Sequence, residues 1–135
     1  MKSRFTLLFI VALVYLFQAA DFAQTVYYVS PTGGNVSPYS SWADAETNIQ
    51  TAVDAASDGD TVLVDDGTYI LTSNVSITKG ITVKSRNGYP ASIIDGNNAT
   101  RCFYIDHANA VLDGFTIQNG YNPSGFGGGV DINNG

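Results

Sequence analysis

From Asp60 onward the chain alternates apolar and polar residues in short bursts, and each burst stops at a turn former. Thr61-Val62-Leu63-Val64 ends at Asp65-Asp66-Gly67, Asn74-Val75-Ser76-Ile77-Thr78 at Lys79-Gly80, and Ile81-Thr82-Val83-Lys84 at Ser85-Arg86-Asn87-Gly88. The rhythm continues through Ser92-Ile93-Ile94, Cys102-Phe103-Tyr104-Ile105, Val111-Leu112, Phe115-Thr116-Ile117 and Val130-Asp131-Ile132. A period of two, broken by Asp, Asn and Gly, predicts short strands joined by tight turns. Upstream, Tyr27-Tyr28-Val29-Ser30 predicts one more strand, and 24–41 reads as that strand and its loop. Between the two regions the period lengthens. Trp42, Ala45, Ile49, Ala52, Val53 and Ala56 recur at three- and four-residue intervals, with Asp44, Glu46, Asn48, Gln50 and Asp54 opposite them. Ser41 and Asp44 have capping-box spacing and Gly59 is placed to close the helix, so an amphipathic helix is predicted over 42–58.

The strands repeat. Val75-Ser76-Ile77, Phe103-Tyr104-Ile105 and Val130-Asp131-Ile132 share one pattern at intervals of roughly 27 or 28 residues. Ile94-Asp95-Gly96 recurs as Leu112-Asp113-Gly114, and Ile81-Thr82-Val83 as Phe115-Thr116-Ile117. Unequal intervals suit a solenoid whose rungs each hold several strands joined by turns of variable length. The expected fold is therefore all-β, a right-handed parallel β-helix over 60–135 with an N-terminal amphipathic capping helix. The helix would cover the first rung, at Val62 and Val64. Gly127-Gly128-Gly129-Val130-Asp131-Ile132 carries no capping pattern, so about three rungs of a longer protein are expected.

The first 23 residues change where this fold is expected to work. Lys2 and Arg4 precede an apolar run from Phe5 to Phe17, and the chain then turns small and polar through Ala20 and Ala23. That layout predicts a signal peptide over 1–23, because the run is well short of the roughly 20 residues that span a bilayer. The protein is expected to be secreted or held at the cell surface, without a membrane span after cleavage. Of the 12 acidic residues all but Glu46 are aspartate, and the formal net charge is −6. Such a surface repels phosphate, which argues against nucleic-acid partners. A single cysteine excludes a disulfide scaffold or a cysteine-ligated zinc module.

Candidate chemistry is sparse. Asp65 and Asp66 form an acidic pair suited to calcium, but Asp-Asp-Gly is also a turn. Asp95 and Asp113 each precede glycine and would stack into a carboxylate ladder if their rungs aligned, though Asp-Gly likewise marks a turn. Gly127, Gly129 and Asp131 match part of a calcium-binding nonapeptide, which Phe126 and Asn133 break. His107 has no second histidine or cysteine-based metal set. Cys102 shares parity with Tyr104 and is expected to point outward. Tyr27, Tyr28, Tyr39, Tyr104 and Tyr121 offer faces for stacking on sugars, or packing residues. No residue is assigned as catalytic, cofactor-binding or metal-ligating, and no cofactor is expected.

Residues 26–135 resemble the start of secreted bacterial right-handed parallel β-helix proteins of the pectin-lyase-like superfamily. The resemblance rests on Tyr27-Tyr28-Val29-Ser30-Pro31-Thr32-Gly33; on Ile49 to Ala56 running through Gly59-Asp60-Thr61-Val62 to Gly67-Thr68-Tyr69; and on Leu112 to Gly120 with Gly127-Gly128-Gly129-Val130. The last stretch is also similar to repeats of polymorphic outer-membrane and adhesin-like proteins. The resemblance implies an exported protein that handles polysaccharide. The calcium-binding aspartates and basic residue of pectate-lyase-like enzymes match no position of this chain. The expected function is a non-catalytic β-helix segment that contacts glycan or a surface protein and continues into further rungs of its parent chain. The alternative is the N-terminal part of a polysaccharide lyase or glycosidase whose catalytic rungs lie beyond Gly135.

Overall fold

The computed structural model describes residues 23–133. The expected signal segment, apart from Ala23, lies outside the described residues. The described chain forms β1 (Val26–Val29), α1 (Ile49–Ala55), β2 (Thr61–Val64), β3 (Gly67–Ile70), β4 (Val75–Ile77), β5 (Thr82–Ser85), β6 (Ser92–Asp95), β7 (Phe103–Ile105), β8 (Val111–Asp113), β9 (Thr116–Gln118) and β10 (Val130–Ile132). Every strand pairing is parallel. From β2 onward each strand pairs with the one three places further along, which gives three sheets: β1-β2-β5-β8, β3-β6-β9 and β4-β7-β10. The protein is thus a mostly β, parallel fold with one short helix among the described residues.

Register explains the stability of this arrangement. Val62 lies beside Val83 and then Leu112. Tyr69 lies beside Ile94 and then Ile117, and Val75 beside Phe103 and then Val130. Side chains of all three sheets meet in one cluster, in which Val62, Val64, Ile77, Val83, Ile94 and Phe103 have no exposed surface. Each such burial is worth about 1.5–3 kcal/mol. The corner between β5 and β6 buries polar groups without leaving them unpaired. Ser85 and Ser92 hydroxyls lie 2.7 Å apart, Ser92 donates to the Asp65 carbonyl, and Ser85 accepts the Gly88 amide.

The helix is shorter than the expected 42–58. Ser41 and Asp44 do bond, with Oγ donating to Oδ2 at 2.9 Å and the Asp44 amide donating back, but they close a turn. The chain then runs extended, because Glu46 pairs with Val29: its amide donates to Tyr28 and its carbonyl accepts from Ser30, each at 2.9 Å. A parallel bridge at the end of β1 has taken the backbone groups that a longer helix would use. Asn48 becomes the N-cap, its Oδ1 accepting from Gln50 and Thr51. Glu46 is consequently buried, not on the outer side as its helical position implied; its Oε1 accepts from the Thr47 and Asn48 amides. The buried stripe of Ala45, Ile49, Ala52, Val53 and Ala56 is as expected, and α1 packs on β1, β2 and β4.

The C-terminus of α1 is closed by a cation. Lys79 Nζ donates to the carbonyls of Val53, Asp54 and Ala56 at 3.1, 2.8 and 2.7 Å. These are carbonyls that a helix end leaves without partners, and positive charge is favoured there. Lys79→Met keeps the side-chain stem and is expected to cost about 1–2 kcal/mol. Lys84→Met, on an exposed strand position, is expected to stay within about 0.5 kcal/mol. Equal thermal midpoints for the two variants would remove the capping role.

Two further expectations are corrected. Cys102 is fully buried rather than outward. It precedes β7 at a corner, so strand parity does not govern it, and its Sγ lies 3.5 Å from the Gln118 carbonyl. The paired motifs around Asp95 and Asp113 sit in different sheets, as do Thr82-Val83 and Thr116-Ile117. The same turn chemistry serves two different corners.

Candidate functional site

The alternation that sends Val62 and Val83 inward sends Leu63 and Lys84 outward, and register extends them into a row. Tyr28, Leu63, Lys84 and Asp113 are successive partners across β1, β2, β5 and β8. With strands about 4.8 Å apart, the row spans roughly 14 Å. An aromatic and basic cluster stands at the β1 end. The Tyr28 and Trp42 rings meet edge-on, centroids 4.7 Å apart. The Arg86 guanidinium lies 4.6 Å from the Trp42 centroid and binds Asp65 Oδ1 at 3.1 Å. Asn87 Nδ2 donates to both oxygens of Asp66 at 3.0 and 2.9 Å.

Asp65 and Asp66 are therefore bonded to Arg86 and Asn87, each 21 residues further on. That offset is the register between β2 and β5, prolonged past the strand ends. The same offset was visible in the sequence and would have paired these residues. Trp42 was missed because a helical stripe placed it in the core; it lies half-buried in the turn before Glu46. The Arg86–Asp65 pair, with Arg86 46% exposed, contributes little by itself. Its role is to tie the segment before α1 to the corners after β2 and β5. Lys84 makes no ion pair among the described residues.

Asp95 forms a separate polar cluster with no contribution from Asp113. It accepts from the Asn97 amide at 2.8 Å, Gln118 Nε2 at 2.8 Å and Asn119 Nδ2 at 3.0 Å. These donors, the Asn97 amide foremost, hold its carboxyl below the ordinary aspartate range. A lowered folded-state pKa contributes stability above the unfolded pKa, and that contribution is lost as pH falls through the folded value. Carboxyl titration by NMR should find Asp95 still ionised below the ordinary aspartate range. Titration within that range would remove the predicted stabilisation.

The glycine-rich stretch also holds an internal cation. Arg101 Nη2 binds Asp131 Oδ2 at 2.9 Å, and its Nε donates to the Gly127 carbonyl at 3.0 Å. His107 Nδ1 accepts the Asn109 amide at 3.2 Å, as a turn residue does. Burial pushes the Cys102 thiol upward, away from nucleophilic use. Among the described residues no three His, Cys, Asp or Glu side chains form a metal-sized group. Tyr27 packs on the core, Tyr39 is half-buried, and Tyr104 lies beside Arg101 and bonds Asp106. Tyr121 and Phe126 are exposed, as is Tyr89, which the sequence pattern had not singled out.

Among the described residues no helix is long and apolar enough to cross a membrane. No protein-family model, curated protein or solved structure matches the chain.

Proposed function

We propose that the chain forms the capped N-terminal part of a right-handed parallel β-helix in an exported surface or extracellular protein, and that its first sheet contacts glycan or protein without catalysis. The carrying observation is the unbroken pairing, from β2 to β7, of each strand with the one three places on, with all three sheets contributing to one core. Parallel crossovers are right-handed in nearly all sheets, which supports the handedness. β1 lies on β2 and α1 packs against both, which supports the cap. At the opposite side Val111 and Ile132 are 47% and 60% exposed, which supports the addition of further rungs there. The row of Leu63, Lys84 and Asp113 supports polar contact, and Arg86 and Asp65 are bonded to each other rather than free for chemistry. The likeness to pectin-lyase-like proteins and the signal-like segment support export and polysaccharide contact.

The test is to incubate purified protein with polygalacturonate, alginate and a neutral glucan, with calcium and with chelator, while following unsaturated ends, reducing sugar and binding. Binding without product, weakened by Lys84→Ala, is the expected result. Calcium-dependent product lost in Lys84→Ala or Arg86→Ala would replace this reading with the lyase alternative.

A further inference from the structure

Three strands, β2, β3 and β4, open the three sheets on the side of the helix, and their outer edges are treated differently. β1 covers the edge of β2. At β4 a side chain imitates a strand: Gln50 Oε1 accepts the Ser76 amide at 2.7 Å and its Nε2 donates to the Ser76 carbonyl at 3.3 Å. β3 has no such partner. The Gly67 and Leu71 amides donate to Ala91 and Asp95 on the β6 side. Alternation in a parallel ladder then turns the N–H and C=O groups of Thr68 and Ile70 to the other edge. No backbone or side-chain group among the described residues bonds them.

A cleft of about 270 Å³ runs along this edge, with Thr68, Ile70 and Thr72 on one side and Pro31, Thr47 and Asn48 on the other. Ile70 is 66% exposed beside it. None of the lining residues is charged, although the chain carries a net charge of −6. We infer that the β3 edge accepts an uncharged, extended peptide segment of another protein, added as a further strand. Two residues two apart present donor and acceptor pairs at the roughly 6.6 Å repeat of an extended backbone, which a peptide matches. The lack of any counter-charge disfavours Asp, Glu, Lys or Arg in the part that enters. This contact is distinct from the outward face of the first sheet and stands without it.

The probe is acetyl-Val-Thr-Val-Thr-Val-amide, titrated into the isotopically labelled full chain. Slower hydrogen exchange at Thr68 and Ile70, with Tyr69 unchanged because it already faces β6, is the expected result. A version of the peptide N-methylated at every residue should bind at least about tenfold more weakly, since it cannot donate along either edge. Thr68→Pro should show a similar loss, because proline is tolerated where an edge amide faces out, while Thr68→Val should bind as the natural chain does. Failure of Thr68→Pro to fold leaves the N-methylated peptide to decide. The inference is overturned if the peptide protects no amide or different amides, or if both peptides bind equally. It is overturned equally if cellotetraose occupies the cleft in the peptide's place, or if two copies of the chain pair through β3 in light scattering.

Discussion

Phe103→Ala is expected to lower the free energy of unfolding by about 3–5 kcal/mol, the usual cost of deleting a buried aromatic side chain. Phe103 has no exposed surface. It is the middle member of the row Val75, Phe103 and Val130, so its ring is held by strands on both sides. The Phe115 ring, 6.0 Å away and tilted at 43°, closes a third side from the connection between β8 and β9. A site walled by backbone on two sides collapses poorly, which places the cost in the upper half of that range. Phe103→Leu retains most of the volume and should cost under about 1.5 kcal/mol. Tyr104→Phe, one residue on and half-buried, removes only a 3.4 Å bond to Asp106 and a contact with Asn133, and should cost under about 1 kcal/mol. Denaturant melts of the three variants would order them. Phe103→Ala within 1 kcal/mol of Tyr104→Phe would mean that the three sheets do not share a core there.

The same row shows how much the sequence disclosed. Val75, Phe103 and Val130 could be aligned by inspection because inward residues of neighbouring strands must be apolar, and so their spacing reports the register itself. Asp95 and Asp113 misled because Asp-Gly reports a turn and not which turn. β3 went unrecognised as a strand: Gly67 opens it at φ +140, and Ile70 points to solvent where alternation asks for a polar residue. The edge with unpaired backbone groups was therefore invisible before the pairing was known. In the candidate face, Lys84 and Asp113 followed from parity once the strands were placed, whereas the contact of Trp42 with Arg86 depends on a turn that a helical pattern concealed.

Ile49→Asp is expected to destabilise by more than about 3 kcal/mol, since it removes a side chain worth about 1.5–3 kcal/mol and places a carboxylate in an apolar site. Ile49 is 3% exposed at the start of α1, beneath it lies the shared core, and the buried charge would have no cation to meet it. The helix is only seven residues long and is held by packing rather than propensity. Loss of this anchor should therefore release Gln50 from Ser76 as well, and expose the β4 edge. Thr51→Ala, on the exposed side, should change stability by no more than about 0.5 kcal/mol. Glu46→Ala belongs between the two: Glu46 is buried at 8% exposure, and its Oε1 accepts two backbone amides, one of which also meets Asn35. Leaving those donors short of a partner should cost about 1–2 kcal/mol. Hydrogen exchange should then show the Ser76 amide opening in Ile49→Asp but protected in Thr51→Ala. Equal melts for Ile49→Asp and Thr51→Ala, or a Ser76 amide unaffected by the loss of Ile49, would mean that α1 does not hold the first strands together, and the proposed cap would fall with it.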